Sequence, residues 1–261
     1  MKLRLLQIML LVCSICVAQG KWAGKRAAIL GDSISDSVRV GTKHCWWETL
    51  GDSLGMETIC YAKNGWQING LRTQAEWALK EQEKSGKKFD LILLFGGTND
   101  FNGSIPLGEF FTLKQEEVNR DGKMVQLLHR YPSTDDGTFC GRLNNLLSYL
   151  KQHFPETRIV MLTPIHRAYA KFGDNNVQPD ELWANLEGLF LEDYIREMER
   201  ASHIWAVPCM DLNVECELFP LYSSYDGYFN KVDTDRLHPN TAGHERMARV
   251  IQSYLESHYP F

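Results

Sequence analysis

The stretch RAAILGDSIS, residues 26–35, decides the fold. Its centre, Ala27 to Leu30, is a short continuous apolar run that ends abruptly in Gly31, Asp32 and Ser33. A run of that length with no polar alternation reads as a strand buried on both faces, and such strands belong to parallel sheets. Four more follow: METICYA (56–62), FDLILLFGG (89–97), TRIVMLTP (157–164) and IWAVPCM (204–210). Between them lie segments of helical periodicity. HCWWETLGDSLG (44–55) stops at Gly55, and INGLRTQAEWALKEQEKSG (68–86) stops at Gly86. LNNLLSYLKQHFP (143–155) runs to Pro155, QPDELWANLEGLFLEDYIREMERASH (178–203) reads as one long helix, and NTAGHERMARVIQSYLESH (240–258) closes the chain. Strand and helix in alternation predict an α/β domain, its parallel sheet covered on both faces and joined by right-handed crossovers.

The first eighteen residues do not belong to that pattern. Lys2 and Arg4 precede an apolar run from Leu5 to about Val17, and small residues end at Ala18. This is the layout of a signal peptide at 1–18, which predicts an exported protein with one domain over 19–261. A lipoprotein anchor at Cys13 or Cys16 is the rival reading, disfavoured by the bulky Val12 and Ile15 before them. No later apolar stretch has spanning length, so no stable membrane span is expected. Without Lys2 and Arg4 the chain carries 26 basic side chains against 33 acidic ones, a net charge of -7 that argues against nucleic acid and anionic membranes as partners. Cys45, Cys60, Cys140, Cys209 and Cys216 remain, an odd number without zinc-site spacing; Cys209 with Cys216 is a candidate short-loop disulfide.

In sheets of this kind ligands bind beyond the carboxyl ends of the strands. Ser33 follows the first strand, Gly65 the second, and Gly96-Gly97-Thr98-Asn99-Asp100 the third; Asp235 and His238 stand before the last helix. These residue types are the parts of an acyl-transfer site. A serine hydroxyl is a poor nucleophile near neutral pH and needs an imidazole as base, and the imidazole needs a carboxylate to hold its tautomer. Three residues separate Asp235 from His238, close enough to pair within one turn of chain. The developing oxyanion needs donors fixed in advance, and the Ser33 and Gly65 backbone amides and the Asn99 side chain are the candidates. Gly70, five residues beyond Gly65, is a second candidate, and the sequence leaves that choice open.

GDSIS, the Gly65 turn, GGTND and DRLHP, in this order, resemble the four blocks of the SGNH (GDSL) hydrolases, and the resemblance spans about Arg26 to the final helix. It implies a flavodoxin-like three-layer α/β/α sandwich, its five-stranded parallel sheet in the order 2-1-3-4-5. It also implies carboxylic-ester hydrolysis without metal or cofactor, with Ser33 as nucleophile, His238 and Asp235 completing the triad, and Ser33, Gly65 and Asn99 as the oxyanion hole. The substrate expected is a small-molecule or carbohydrate ester, with removal of acetyl groups from carbohydrate favoured. A lipase, lysophospholipase or thioesterase is the rival within the family, to be favoured if the long insertion at 101–138 presents an apolar channel. A non-catalytic carbohydrate-binding module is the rival outside it, though all five chemical positions are filled here.

The remaining motifs weigh less. Trp66, beside Gly65, and Asp32 are candidates for lining the substrate pocket, whereas Trp46 and Trp47 read as core at helical spacing. His44, His129, His166 and His244 read as surface or satisfied histidines. A second copy of the triplet, TLGDSLG at 49–55, puts Ser53 inside a helical segment with no strand to deliver it to a rim.

Overall fold

The apolar run at the start of the domain forms the central element, β1 (Arg26–Gly31), all six of its residues buried. The computed structural model describes residues 20–259, so the proposed signal peptide lies outside the described residues. From β1 the chain passes through α1 (Trp46–Leu54), β2 (Glu57–Cys60), α2 (Ile68–Ser85), β3 (Leu91–Phe95) and the short α3 (Thr98–Asn102). A hairpin of β4 (Phe111–Arg120) and β5 (Lys123–Pro132) leads to α4 (Phe139–His153) and β6 (Arg158–Leu162). There follow β7 (Ala170–Gly173), β8 (Asn176–Gln178), α5 (Leu191–Trp205), β9 (Cys209–Met210) and α6 (Leu212–Glu215). A 3-10 turn (Ser223–Tyr228), β10 (Phe229–Lys231), β11 (Asp235–Pro239) and α7 (Thr241–His258) complete the described chain.

The main sheet is all parallel in the order β2-β1-β3-β6-β9, which is the 2-1-3-4-5 arrangement of a flavodoxin-like fold. Side chains of a strand alternate between faces. Ala28, Leu30, Ile92, Leu94, Ile159 and Met161 therefore pack under α2, α4 and α5. Their neighbours Ala27, Ile29, Leu93, Phe95, Val160 and Leu162 pack under α1 and α7. Each Leu or Ile so enclosed contributes about 1.5–3 kcal/mol. α7 starts where Asn240 accepts the Ala242 and Gly243 N–H groups, at 2.9 and 3.2 Å.

Several expectations need correction. The long helix at 178–203 is only its second half: α5 begins at Leu191. Ahead of it the Asn185 carboxamide oxygen accepts the Glu187 and Leu189 N–H groups, and Gly188 turns left-handed with φ +74°. Such a local side-chain turn competes with the helix ladder and here prevails. The fifth strand is likewise short, because Ile204 and Trp205 stay in α5 and only Cys209 and Met210 pair with β6. The 101–138 insertion folds as the exposed β4–β5 ribbon, in unbroken register from Phe111↔Pro132 to Arg120↔Lys123. A second, antiparallel sheet, β10-β11-β7-β8, lies outside the five predicted strands, and DRLHP forms β11 within it. All five described cysteines are free, Cys209 and Cys216 included. No helix among the described residues is long and apolar enough to cross a membrane.

Candidate active site

β1 delivers Ser33 to the carboxyl rim of the sheet. Gly31, paired with Phe95, allows the turn because a Cβ there would stand 2.7 Å from the Phe95 carbonyl oxygen. Gln74, buried in α2, clamps the same residue from both sides: its carboxamide oxygen accepts the Gly31 N–H at 2.7 Å and its nitrogen donates to the Gly31 carbonyl at 2.8 Å. Beyond the serine, Trp46 donates its indole N–H to the Ser35 hydroxyl (3.0 Å) and Trp47 to the Ser35 carbonyl (2.7 Å). The two tryptophans are thus core residues that also pin the serine turn.

The second sheet supplies the partners of Ser33. His238 Nε2 lies 2.9 Å from Ser33 Oγ, and its Nδ1 lies 3.0 Å from each oxygen of Asp235. The Asp235 carboxylate also accepts the Leu237 and His238 backbone N–H groups, at 3.2 and 3.0 Å. These bonds hold the acid in one orientation and leave it the natural partner of an Nδ1–H tautomer. The pair sits on β11, between β10 and β7, where Asp235 is opposite both Lys231 and Ala170. Ser33 and His238 are 5% and 4% exposed, so their hydrogen bond is largely shielded from water. Phe172 of β7 covers the imidazole edge-on, ring centroids 5.4 Å apart.

Gly65 takes a left-handed turn, φ +77°, with nothing within 4 Å of the position of a Cβ. Among the described residues, neither the Ser33 nor the Gly65 backbone N–H has a hydrogen-bond acceptor. Gly70 differs: its N–H donates to the Gln67 carbonyl at 2.9 Å, and the Trp66 ring lies over it where a Cβ would be. Its donor is spent on the helix, which leaves Gly65 as the available one. Asn99 donates from Nδ2 to the Trp66 carbonyl at 3.0 Å, and the second hydrogen of that nitrogen is free to point elsewhere. Trp66 lines an open cleft of about 720 Å³ together with Gly65, Gln67, Arg72 and Asp136.

Asp32, expected at the pocket wall, is instead fully enclosed. Its Oδ1 accepts the Ile34 N–H at 3.1 Å while Oδ2 has no partner, and burial raises its carboxyl pKa to about 7. A proline-free turn of small polar residues cannot signal on which side its acid points.

Several supporting residues were not singled out from sequence. Asp36 accepts the Asn64 N–H at 2.7 Å and so ties the serine turn to the Gly65 turn. Asp100, next to Asn99, forms a buried ion pair with Arg142 at 2.9 Å and accepts the Ile68 N–H at 2.9 Å. Burial outweighs both and lifts the Asp100 pKa to about 6. Arg142 also donates to Gln67, which donates to the Asn99 carbonyl, both at 3.0 Å. Buried Arg167 donates to Gln178 at 2.7 Å and to Thr98 at 3.3 Å, and burial lowers its pKa to about 10. The nearest readable signal was the acid in GGTND; the other partners lie far apart in sequence.

The other histidines stay outside the relay. His244 is buried, accepts the Trp46 backbone N–H at 3.1 Å, and is kept neutral by burial, with its pKa pushed down to about 3. His166 pairs with Glu181 at 2.5 Å, away from Ser33's partners. Ser53 sits within α1, exposed, and follows no strand directly. No group of three or more His, Cys, Asp or Glu side chains among the described residues is arranged to hold a metal ion.

Comparison with known proteins places the fold and the family. The fold is shared with a solved structure of a protein from Lactobacillus plantarum, 24% identical, with a TM-score of 0.69 over 91% of this chain and 99% of that one. It is shared also with a possible lipase from Chitinophaga pinensis, 18% identical, with a TM-score of 0.62 over 89% and 98%. A member of the lipolytic protein G-D-S-L family from Veillonella parvula, 12% identical, has a TM-score of 0.53 over 88% and 97%. Among curated proteins none matches the sequence significantly. Residues 29–246 match the GDSL-like lipase/acylhydrolase family, and with more than four-fifths of its length inside that match the chain belongs to this family of ester-hydrolysing enzymes.

Proposed function

We propose that the protein is an exported serine esterase that cleaves carboxylic esters through an acyl-enzyme, with O-acetylated carbohydrate as its substrate. The observation that carries the reading is the relay from Ser33 Oγ through His238 to Asp235, at 2.9 and 3.0 Å. His238 Nε2 takes the Ser33 proton as Oγ attacks the ester carbonyl, and Asp235 stabilises the imidazolium that forms. The carbonyl oxygen becomes an oxyanion held by the Ser33 and Gly65 N–H groups and the Asn99 amide, each worth about 3 kcal/mol in such sites. Collapse of the intermediate expels the alcohol, protonated by His238. Water, deprotonated by the same imidazole, then attacks the acyl-enzyme, and Ser33 leaves with the proton.

The substrate class has separate support. The insertion is an exposed ribbon rather than the wall of an apolar channel, which favours a small acyl group over a long chain. The layout of the first eighteen residues supports export, and the acidic mature chain suits a neutral substrate. The test is hydrolysis of p-nitrophenyl acetate and of p-nitrophenyl esters of increasing acyl length by the wild type and by Ser33→Ala. Turnover that falls with acyl length and vanishes in a folded Ser33→Ala protein supports the reading. Unchanged turnover in that variant overturns it.

A further inference from the structure

A leaving alcohol must receive its proton from His238 Nε2, so the alcohol part of an ester occupies the His238 side of Ser33. On that side stands Phe172, in contact with the imidazole. Its strand, β7, turns back as β8, with Lys171 opposite Val177 and Ala170 opposite Gln178. Gln178 is joined through Arg167 to Thr98, the residue before Asn99. Between β8 and the end of α3 lies a cavity of about 300 Å³, lined among others by Phe101, Asn102, Asn176, Val177, Asp180 and Trp183. The size is at the lower end of small-molecule sites and suits one ring rather than a polymer.

The lining mixes two chemistries. Trp183 is 68% exposed, a large flat ring with no packing role to account for it. Around it stand polar groups with unused capacity. Asp180 spends one oxygen on the Leu182 N–H, and Asn176 spends its oxygen on Gln178, so a carboxylate oxygen and an amide nitrogen remain. Asn185 donates to the Phe101 carbonyl at 3.1 Å and so joins the loop that carries Trp183 to α3. A pyranose has the matching surface: axial C–H groups that stack on the electron-rich face of an indole, and equatorial hydroxyls that both donate and accept. An aliphatic alcohol would offer Asp180 and Asn176 no hydrogen-bond partner.

We infer that this cavity is the alcohol-side subsite, holding one sugar ring stacked on Trp183 and hydrogen-bonded by Asp180 and Asn176. The assignment rests on the proposed esterase reading. Two substrates sharing the acetyl group and differing in the alcohol test it: glucose 6-acetate, whose other hydroxyls are free, and methyl acetate, whose alcohol is too small to reach Trp183, with wild type, Trp183→Ala and Asp180→Asn. Loss of the indole raises KM for glucose 6-acetate about tenfold, equivalent to about 1.4 kcal/mol, and leaves kcat/KM for methyl acetate within about twofold. Asp180→Asn, which keeps the oxygen that caps Leu182, gives a smaller rise confined to the sugar ester. If Trp183→Ala treats both substrates as the wild type does, or weakens both equally, the subsite is wrong while sugar-ester hydrolysis by the wild type keeps the broader reading. If the wild type cleaves methyl acetate and no sugar acetate, the subsite and the carbohydrate assignment fall together. Thermal melts of each variant matching the wild type exclude misfolding as the cause.

Discussion

The Asn99 side chain donates to the Trp66 carbonyl oxygen across 3.0 Å, so the turn that carries Gly65 and the helix start that carries Asn99 are fixed to one another. Two donors of the proposed oxyanion hole therefore share one tether, which on that proposal sets their spacing before substrate arrives. Preorganised donors act on the transition state more than on the bound ester. Asn99→Ala is expected to lower kcat by about a hundredfold or more with little change in KM. Steady-state kinetics on p-nitrophenyl acetate decide it, and a change confined to KM would remove Asn99 from the hole.

Asp235 offers a second test because its roles separate on paper. An asparagine there keeps one carbonyl oxygen for the Leu237 and His238 N–H groups, so β11 is expected to fold as before. What it loses is the charge that holds the Nδ1–H tautomer of His238. For Asp235→Asn we expect kcat to fall by about 10⁴, the scale seen when a triad acid becomes an amide. A melting temperature close to that of the wild type and a kcat within tenfold would show that the acid is not part of the relay.

Which of these groups could be read in the chain follows from how far apart their partners are. Asp235 and His238 are three residues apart, and Ser33 and Asn99 each follow a buried strand, so pattern alone brought them to one rim. Gln74, Arg142 and Asp36 act on residues 43, 42 and 28 positions away. A polar side chain in a helix looks the same in sequence whether it faces water or a buried partner, and no local pattern distinguishes them. The segment 178–190 misled because its apolar spacing is helical while Asn185 and Gly188 impose turns. The β4–β5 ribbon has no buried face to leave a strong period. Its signal was the pair Asp121–Gly122, at φ 53° and 80°, the residues that two-residue hairpin turns demand.

That ribbon is separable from the site. Its strands pair with each other along ten residues, while Phe110 at its base is buried and bonded to Ser133 and Asn144. Replacing residues 113–130 by Asn-Gly should leave the base intact. We expect kcat/KM for p-nitrophenyl acetate within about twofold of wild type and Tm within about 4 °C, since little apolar surface is lost from the core. A tenfold loss of activity in a folded deletion variant would mean that the ribbon reaches the substrate.

The buried acid beside the nucleophile makes stability depend on pH. Asp32 is lifted from its ordinary 3.8 to about 7, mainly by burial, with the negative Asp100 adding to the rise and His238 opposing it. Between those pH values the folded protein holds a proton on Asp32 that the unfolded chain has released. Stability from this group is complete below about pH 4 and is lost as pH rises through about 7. The full span corresponds to about 4 kcal/mol at most. Asp32→Asn keeps an oxygen for the Ile34 N–H and removes the titration. The difference in unfolding free energy, variant minus wild type, is therefore expected to grow in the variant's favour by about 2–4 kcal/mol from pH 4.5 to 7.5. Asp100, raised to about 6 and paired with Arg142, gives its own slope to both proteins, and only its coupling to Asp32 enters the difference. Urea denaturation at several pH values measures it, and a pH-independent difference would show that Asp32 is ionised in the folded protein well below neutrality.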